Sequence, residues 1–227
     1  MAANYPGRFP AARPPRQSRP MPALACHPAA LDAAPAAFIQ VQASAWRAGA
    51  AGLHLRYAVH CPPQALRCPP PAPHCAAAPQ DGLWQRTCLE AFVCARESGD
   101  PGDPGEFDYR EFNFSPDGRW AGYAFCAPRQ RDAGWREWEL RAAPAQWRCA
   151  WQADPPDGTL PGRVLTLHAF IADVGLPAQA VWQVGLCAVL QAADERLSYW
   201  ALRHPRPAPD FHDRRGWSLA LPPAIPF

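Results

Sequence analysis

From Phe38 onward the chain alternates apolar and polar residues with a period of two. Ile39, Val41, Ala43 and Ala45 alternate with Gln40, Gln42 and Ser44, and Leu53, Leu55, Tyr57 and Val59 alternate with His54, Arg56 and His60. Side chains along a strand point to opposite faces in turn, so these segments read as two half-buried strands joined as a hairpin across Ala48 to Gly52. Further strand-like segments fall at 86–94, 107–114, 119–125, 136–142, 146–152, 163–171, 181–190 and 197–203, separated by Gly, Pro and Asp clusters such as ESGDPGDPGE and ADPPDG. Roughly ten short strands at this spacing, with no convincing amphipathic helix, predict an all-β antiparallel sandwich rather than an alternating α/β fold.

The boundaries come from proline. Residues 1–35 are rich in Pro, Ala and Arg without an apolar period, which predicts a disordered arm in which Met21 is a candidate true start. Residues 36–221 then form a single domain, with 222–227 as a tail. Within it, CPPQALRCPPPAPHCAAAPQDG (61–82) is too proline-dense for helix or central strand and reads as a long surface loop.

Composition narrows the function classes. Arginine supplies every basic residue, and the net charge of +2 is too small and too scattered to point to a nucleic-acid or membrane partner. No run approaches the ~18–20 apolar residues that span a bilayer, and MAANYPGRFPAARPPRQSRP lacks the apolar stretch of a secretory signal. Nine cysteines without an export signal, several on strand positions (Cys88, Cys94, Cys149, Cys187), read as free thiols in a cytoplasmic protein.

The segment EFNFSPDGRWAGYAF (111–125) carries the candidate chemistry. Ser115-Pro-Asp-Gly118 suits a type I turn closing a hairpin. Alternation puts Phe112 and Phe114 on one face and Tyr109, Glu111 and Asn113 on the other. Pairing Phe114 with Arg119 sets Asn113 opposite Trp120 and Glu111 opposite Gly122, whereas a bulge in the turn shifts this by one residue. The preceding strand turns Cys88, Glu90 and Phe92 away from Leu89, Ala91 and Val93. Glu90, Glu111, Asn113 and Trp120 are thus expected on one face beside a glycine gap, a combination that suits a polyhydroxylated ligand.

Three motifs, LWQRTCLEAFV (83–93), YREFNFSPDGRWAGYAF (109–125) and SYWALRHPRPAPDFH (198–212), resemble the bacterial DOMON-like proteins related to family 9 carbohydrate-binding modules. The resemblance spans roughly residues 22–221 and implies a jelly-roll β-sandwich that binds sugar or haem. It maps the acidic strand positions of the sugar-binding relatives onto Glu90, Glu111 and Asn113. Trp84, Trp120 and Trp200 are the candidates for the paired tryptophans that clamp a sugar, and Arg86 lies within the first motif. The methionine–histidine axial pair of the haem-binding relatives has no counterpart in the sandwich, because the methionines are Met1 and Met21.

The proline-stiffened loop His204-Pro-Arg-Pro-Ala-Pro-Asp-Phe-His212 offers His204, Asp210 and His212 as one wall of a site. The same three could ligate zinc, and two histidines could ligate haem. His60, Cys61, Cys68, His74 and Cys75 lack the short CxxC clamps of structural zinc. Ser198, His204 and Asp210 have the residue types of a hydrolase triad without its nucleophile elbow. Glu90 and Glu111 could be spaced like a glycosidase pair, since strands lie ~4.8 Å apart. The expected function is non-catalytic binding of a small polar ligand, such as a saccharide, with no cofactor. A protein-interaction scaffold and a haem- or metal-binding DOMON-type protein are the alternatives. Deleting the residues before Met21 is expected to leave the melting temperature unchanged in scanning calorimetry; a clear loss would make the arm part of the fold.

Overall fold

The computed structural model describes residues 21–30, 36–76, 78–96, 108–153 and 162–223. The expected arm falls largely outside these, as do the end of the C-terminal tail and the two Pro-Gly-Asp linkers after residues 96 and 153.

The strands are β1 (Ala23–Cys26), β2 (Gln40–Ala48), β3 (Gly52–Cys61), β4 (Cys88–Arg96), β5 (Tyr109–Phe114), β6 (Trp120–Ala127), β7 (Gln130–Arg131), β8 (Pro144–Ala153), β9 (Arg163–Ile171), β10 (Val181–Gln191), β11 (Leu197–Ala201) and β12 (Leu219–Leu221). All pair antiparallel. One sheet runs β7-β6-β5-β4-β10-β11, with β12 beside β11 along the same edge of β10, and the other runs β1-β2-β3-β9-β8. The fold is an all-β sandwich.

Two elements depart from the sequence expectation. β1 lies inside the stretch whose composition reads as a disordered arm. Its Ala23 and Leu24 pair with Gln42 and Val41 of the second sheet, while Ala25 and Cys26 pair with Ala201 and Trp200 of the first. A four-residue strand shows no periodicity of its own; what holds it is pairing on both sheets. The segment expected as a strand at 136–142 is instead a short helix, α1 (Trp135–Arg141). Its Trp138 packs into the core over Gly122, and the Glu139 carboxylate accepts from the Gly122 amide at 3.1 Å. The glycine gap read from the sequence is therefore filled by α1. Seven residues are too few to separate a 3.6-residue period from a period of two.

The inner faces meet in one core that includes Leu55, Tyr57 and Leu167 of the second sheet with Leu89, Phe112, Phe114, Val184 and Leu186 of the first. Tyr57 crosses it to donate its hydroxyl to the main-chain carbonyl of Glu90 at 2.6 Å, which satisfies a fully buried polar group. The proline-rich loop 62–82 runs along the β5–β6 hairpin. Amides of Ala72, Ala76 and Gln80 donate to the carbonyls of Pro116, Gly118 and Trp120. All nine cysteines are free thiols. Among the described residues, no helix is long and apolar enough to cross a membrane.

The first sheet is also buried on its outer face. Phe92, Tyr109, Tyr123, Phe125, Val189 and Trp217 form a second apolar cluster there. Trp217 stacks on Phe92 at 5.7 Å and donates its indole N–H to the Phe211 carbonyl at 2.8 Å, tying the 203–217 segment to the sheet. Gly185 of β10 makes room for that indole, since a Cβ there would lie 2.3 Å from Trp217 Cδ1. Gly185→Ala is expected to cost about 1–3 kcal/mol by overpacking, measured as a lower urea midpoint with an unchanged slope.

Candidate functional site

The site lies on the outer face of the first sheet. Antiparallel pairing sets Glu90 opposite Asn113, and Phe92 opposite Glu111. Parity then brings Glu90, Glu111 and Asn113 onto one face, as the alternation predicted. Glu90 is 2% exposed, Glu111 5% and Asn113 0%. The residues around them rise into a cavity of about 580 Å³ with walls from Trp84, Phe92, Tyr123, Phe125, Tyr199 and Phe211. The volume lies within the ~300–1,000 Å³ typical of small-molecule sites.

The floor is a chain of hydrogen bonds. Asn113 Nδ2 donates to Glu111 Oε1 at 2.8 Å. Tyr109 Oη accepts from the Arg129 amide at 3.0 Å and shares a hydrogen bond of 2.7 Å with His212 Nδ1. His212 Nε2 lies 3.8 Å from Glu111 Oε2. The Cys88 thiol bonds the Glu90 carboxyl. Two acceptors remain without a partner, Glu90 Oε1 and Asn113 Oδ1.

Burial sets the protonation states. It pushes Glu111 up to about 7, with the Asn113 bond and the Arg131 and Arg129 charges acting against it. It pushes Glu90 well above the carboxylate range, reinforced by the neighbouring Glu111. His212 falls to about 4, through burial and then the Arg129 charge, so the imidazole is neutral at pH 7. Tyr109 rises to about 12, chiefly by burial. Thiols of Cys88 and Cys187 beside Glu90 are likewise pushed up by burial.

The rim is polar but internally paired. Arg129 bonds Asp210 at 2.9 Å, and Arg131 holds Asp81 through both terminal nitrogens at 3.1 and 3.0 Å. Asp81 also accepts from Tyr123 and from the amide of Gly82. Gly82 is left-handed (φ 79°) and opens the turn Leu83–Gln85, from which Trp84 projects with 38% exposure.

Other expected residues lie elsewhere. The β5–β6 turn is a type I turn followed by a left-handed Gly118 (φ 88°), closed by Ser115 N–H to Arg119 O at 2.8 Å. That extra residue pairs Phe114 with Trp120 and Asn113 with Ala121, shifting the register by one from the pairing with Arg119. Trp120 therefore points into the core, where it is 1% exposed and donates to the Ala76 carbonyl. Trp200 is also in the core, bonded to Ser198 Oγ. Arg86 is exposed and borders a second, polar cavity of about 420 Å³ that shares Trp84 and Gln85 with the first.

Asp210 and His212 line the main cavity, but His204 does not; it bonds the Ala25 carbonyl and packs edge-on against His27. Ser198 is tied to Leu190 O and Trp200, so Ser198, His204 and Asp210 form no triad. Among the described residues, no group of three His, Cys, Asp or Glu side chains could hold a metal. Sequence reasoning did not single out Arg129, Arg131, Tyr123, Phe125, Tyr199 or Phe211 as site residues. Tyr199 and Phe211 could have been suspected from parity with the core-facing Trp200 and from their place in the third motif.

No family model matches the chain, and no curated protein matches it. Among solved structures it is similar to one described as a "putative carbohydrate-binding protein" from Bacteroides uniformis. The identity is 16%, the TM-score 0.48, and the match covers 81% of this chain and 77% of that one. A likeness at that level assigns neither a family nor a ligand.

The raised Glu111 pKa gives a stability prediction. An acid whose folded value (about 7) exceeds its unfolded value contributes stability that is full below the unfolded pKa and lost as pH rises through the folded one. Glu111→Gln does not titrate. Relative to the wild type it should gain on the order of 2 kcal/mol between pH 5 and 8, read from paired urea melts; a pH-independent difference would mean that Glu111 is not desolvated.

Proposed function

We propose that the protein is a non-catalytic binding module for a saccharide or similar small polar ligand, held in the cavity on the outer face of the first sheet. The observation that carries this reading is the unpartnered buried oxygen Glu90 Oε1, on a side chain that lines an aromatic-walled hollow. A buried polar atom without a partner costs about 1–3 kcal/mol. Ligand groups that bond it recover that cost, while the rings take the apolar C–H faces of a sugar.

The arrangement supports binding rather than catalysis. A glycosidase needs one carboxylate ionised as base or nucleophile. Here burial disfavours ionisation of both Glu90 and Glu111, and among the described residues no arginine forms an ion pair with either. The nine thiols support a reducing, cytoplasmic setting. Membership among the DOMON-like relatives of family 9 carbohydrate-binding modules is part of the same reading.

The test is a thermal-shift and calorimetric screen of the full chain against mono- and oligosaccharides. One sugar class should raise the melting temperature, and Trp84→Ala should weaken it about tenfold, the loss of one aromatic stacking face. Because Trp84 is exposed, the unfolding transition of this variant should stay cooperative. No shift with any sugar, or binding unchanged in Trp84→Ala, would remove the reading. Trp120→Ala should instead destabilise by about 3–5 kcal/mol as a core deletion.

A further inference from the structure

We infer that the chain pairs with a second copy of itself along the free edge of β8, strand against antiparallel strand, about a two-fold axis at Cys149. This does not rest on the ligand reading of the cavity.

β8 is the outermost strand of the second sheet and pairs with β9 alone. Its alternate N–H and C=O groups therefore point away from the sheet, and among the described residues no main-chain group outside β9 bonds them. The corresponding edge of the first sheet is closed by β7 and by the proline-rich loop, whose Gln80 amide donates to the Trp120 carbonyl. At the far side β1 pairs with both sheets. A long bare edge is a template for another strand unless proline, a bulge or an inward charge blunts it. In β8 the proline and the register shift lie at its start, between Pro144 and Gln146, and the pairing with β9 is regular from there to Ala153.

The sequence of that edge matches itself in reverse. Residues 146–152 read Gln-Trp-Arg-Cys-Ala-Trp-Gln, a palindrome about Cys149 except at Arg148 and Ala150. Two antiparallel copies centred on Cys149 set Gln146 opposite the partner's Gln152 and Trp147 opposite the partner's Trp151, each pair occurring twice, as a two-fold axis requires. Residues directly opposite share a face, so a centre on a residue keeps core face against core face. Centring on Arg148 would oppose two like charges, and centring on Ala150 would set Trp147 opposite the partner's Ala153 and forfeit the aromatic pair.

The tryptophans give the edge its reason to pair. Both turn to the core side but are half-buried. Trp147 packs on Phe114 and donates to Ala72 O, and Trp151 carries the Arg163 guanidinium 3.8 Å above its ring. Pairing covers the remaining side of each ring with the ring of the other copy, and cross-strand aromatic pairs are among the stabilising ones. On the outer face Gln146, Arg148 and Gln152 are exposed, and Arg148 comes opposite the partner's Ala150, so the pairing opposes no like charges. The two second sheets become one, and both ligand cavities open on the same side of it.

The experiment is sedimentation velocity of the full chain in reducing buffer, from low micromolar to near-millimolar concentration. The wild type should become dimeric within that range. Ala150→Arg places an arginine opposite the partner's Arg148 twice and should weaken dimerisation about tenfold, whereas Ala150→Glu should tighten it about threefold; high salt should narrow the gap between the two. Residue 150 lies on the outer face, so both variants should unfold cooperatively. If a variant fails to fold, hydrogen exchange of the wild type decides: protection of residues 144–153 should rise with protein concentration. A wild type that stays monomeric, a dimer equally stable in both variants, or protection of 144–153 that ignores concentration overturns the inference.

Discussion

The site depends on one constraint, that the first sheet is covered on both faces. A sandwich needs only its inner faces dry. Here the stack of Trp217 on Phe92, anchored by its bond to Phe211 O, folds the segment after β11 back over the outer face. The room for that stack comes from the missing side chain of Gly185. Polar residues at outward positions of β4 and β5, which would be solvated in an ordinary sandwich, are thereby taken out of water. The raised pKa values of Glu90 and Glu111, the neutral His212 and the cavity itself all follow from that burial.

Such a floor lowers stability. Buried carboxyl groups are ordinarily paired with a cation, and a carboxyl left without one holds its proton. The two nearby guanidinium groups bond Asp81 and Asp210 at the rim, and their charges only partly offset the burial of Glu111. Perturbed groups gathered in a concave site make that site the candidate for function.

Most of the strand pattern was legible in the sequence because alternation survives wherever a strand separates two environments. Arg163–Ile171 matches the expected segment at both ends. The pairing of Glu90, Glu111 and Asn113 was legible because parity on adjacent antiparallel strands needs only the direction of each side chain. Trp120 was misplaced because its direction depends on the loop count, and one left-handed residue at Gly118 reverses it. β1 was hidden because its stability comes from pairing with two sheets, and α1 because seven residues carry too little period. The walls were hidden for a different reason. Tyr199, Phe211 and Arg129 reach the site from β11, the following loop and the β6–β7 turn, and no local pattern records that meeting.

The outer face of the second sheet shows what a polar outer face looks like when its groups are satisfied by one another. Trp46, His54, His168 and Phe170 stack across β2, β3 and β9 at centroid distances of 4.4 to 5.8 Å. His54 Nδ1 and His168 Nε2 share a hydrogen bond of 3.1 Å, and burial lowers His54 to about 4, so the pair is neutral and internally bonded. That ladder leaves no ring nitrogen of the shared bond unsatisfied, and cross-strand stacking accounts for it. The floor of the first sheet has the opposite character. Its strands place two acids and an amide together, and Glu90, which lines the cavity, keeps one carboxyl oxygen without a partner. Packing explains the first face. Packing leaves Glu90 Oε1 on the second face unbonded beside the cavity.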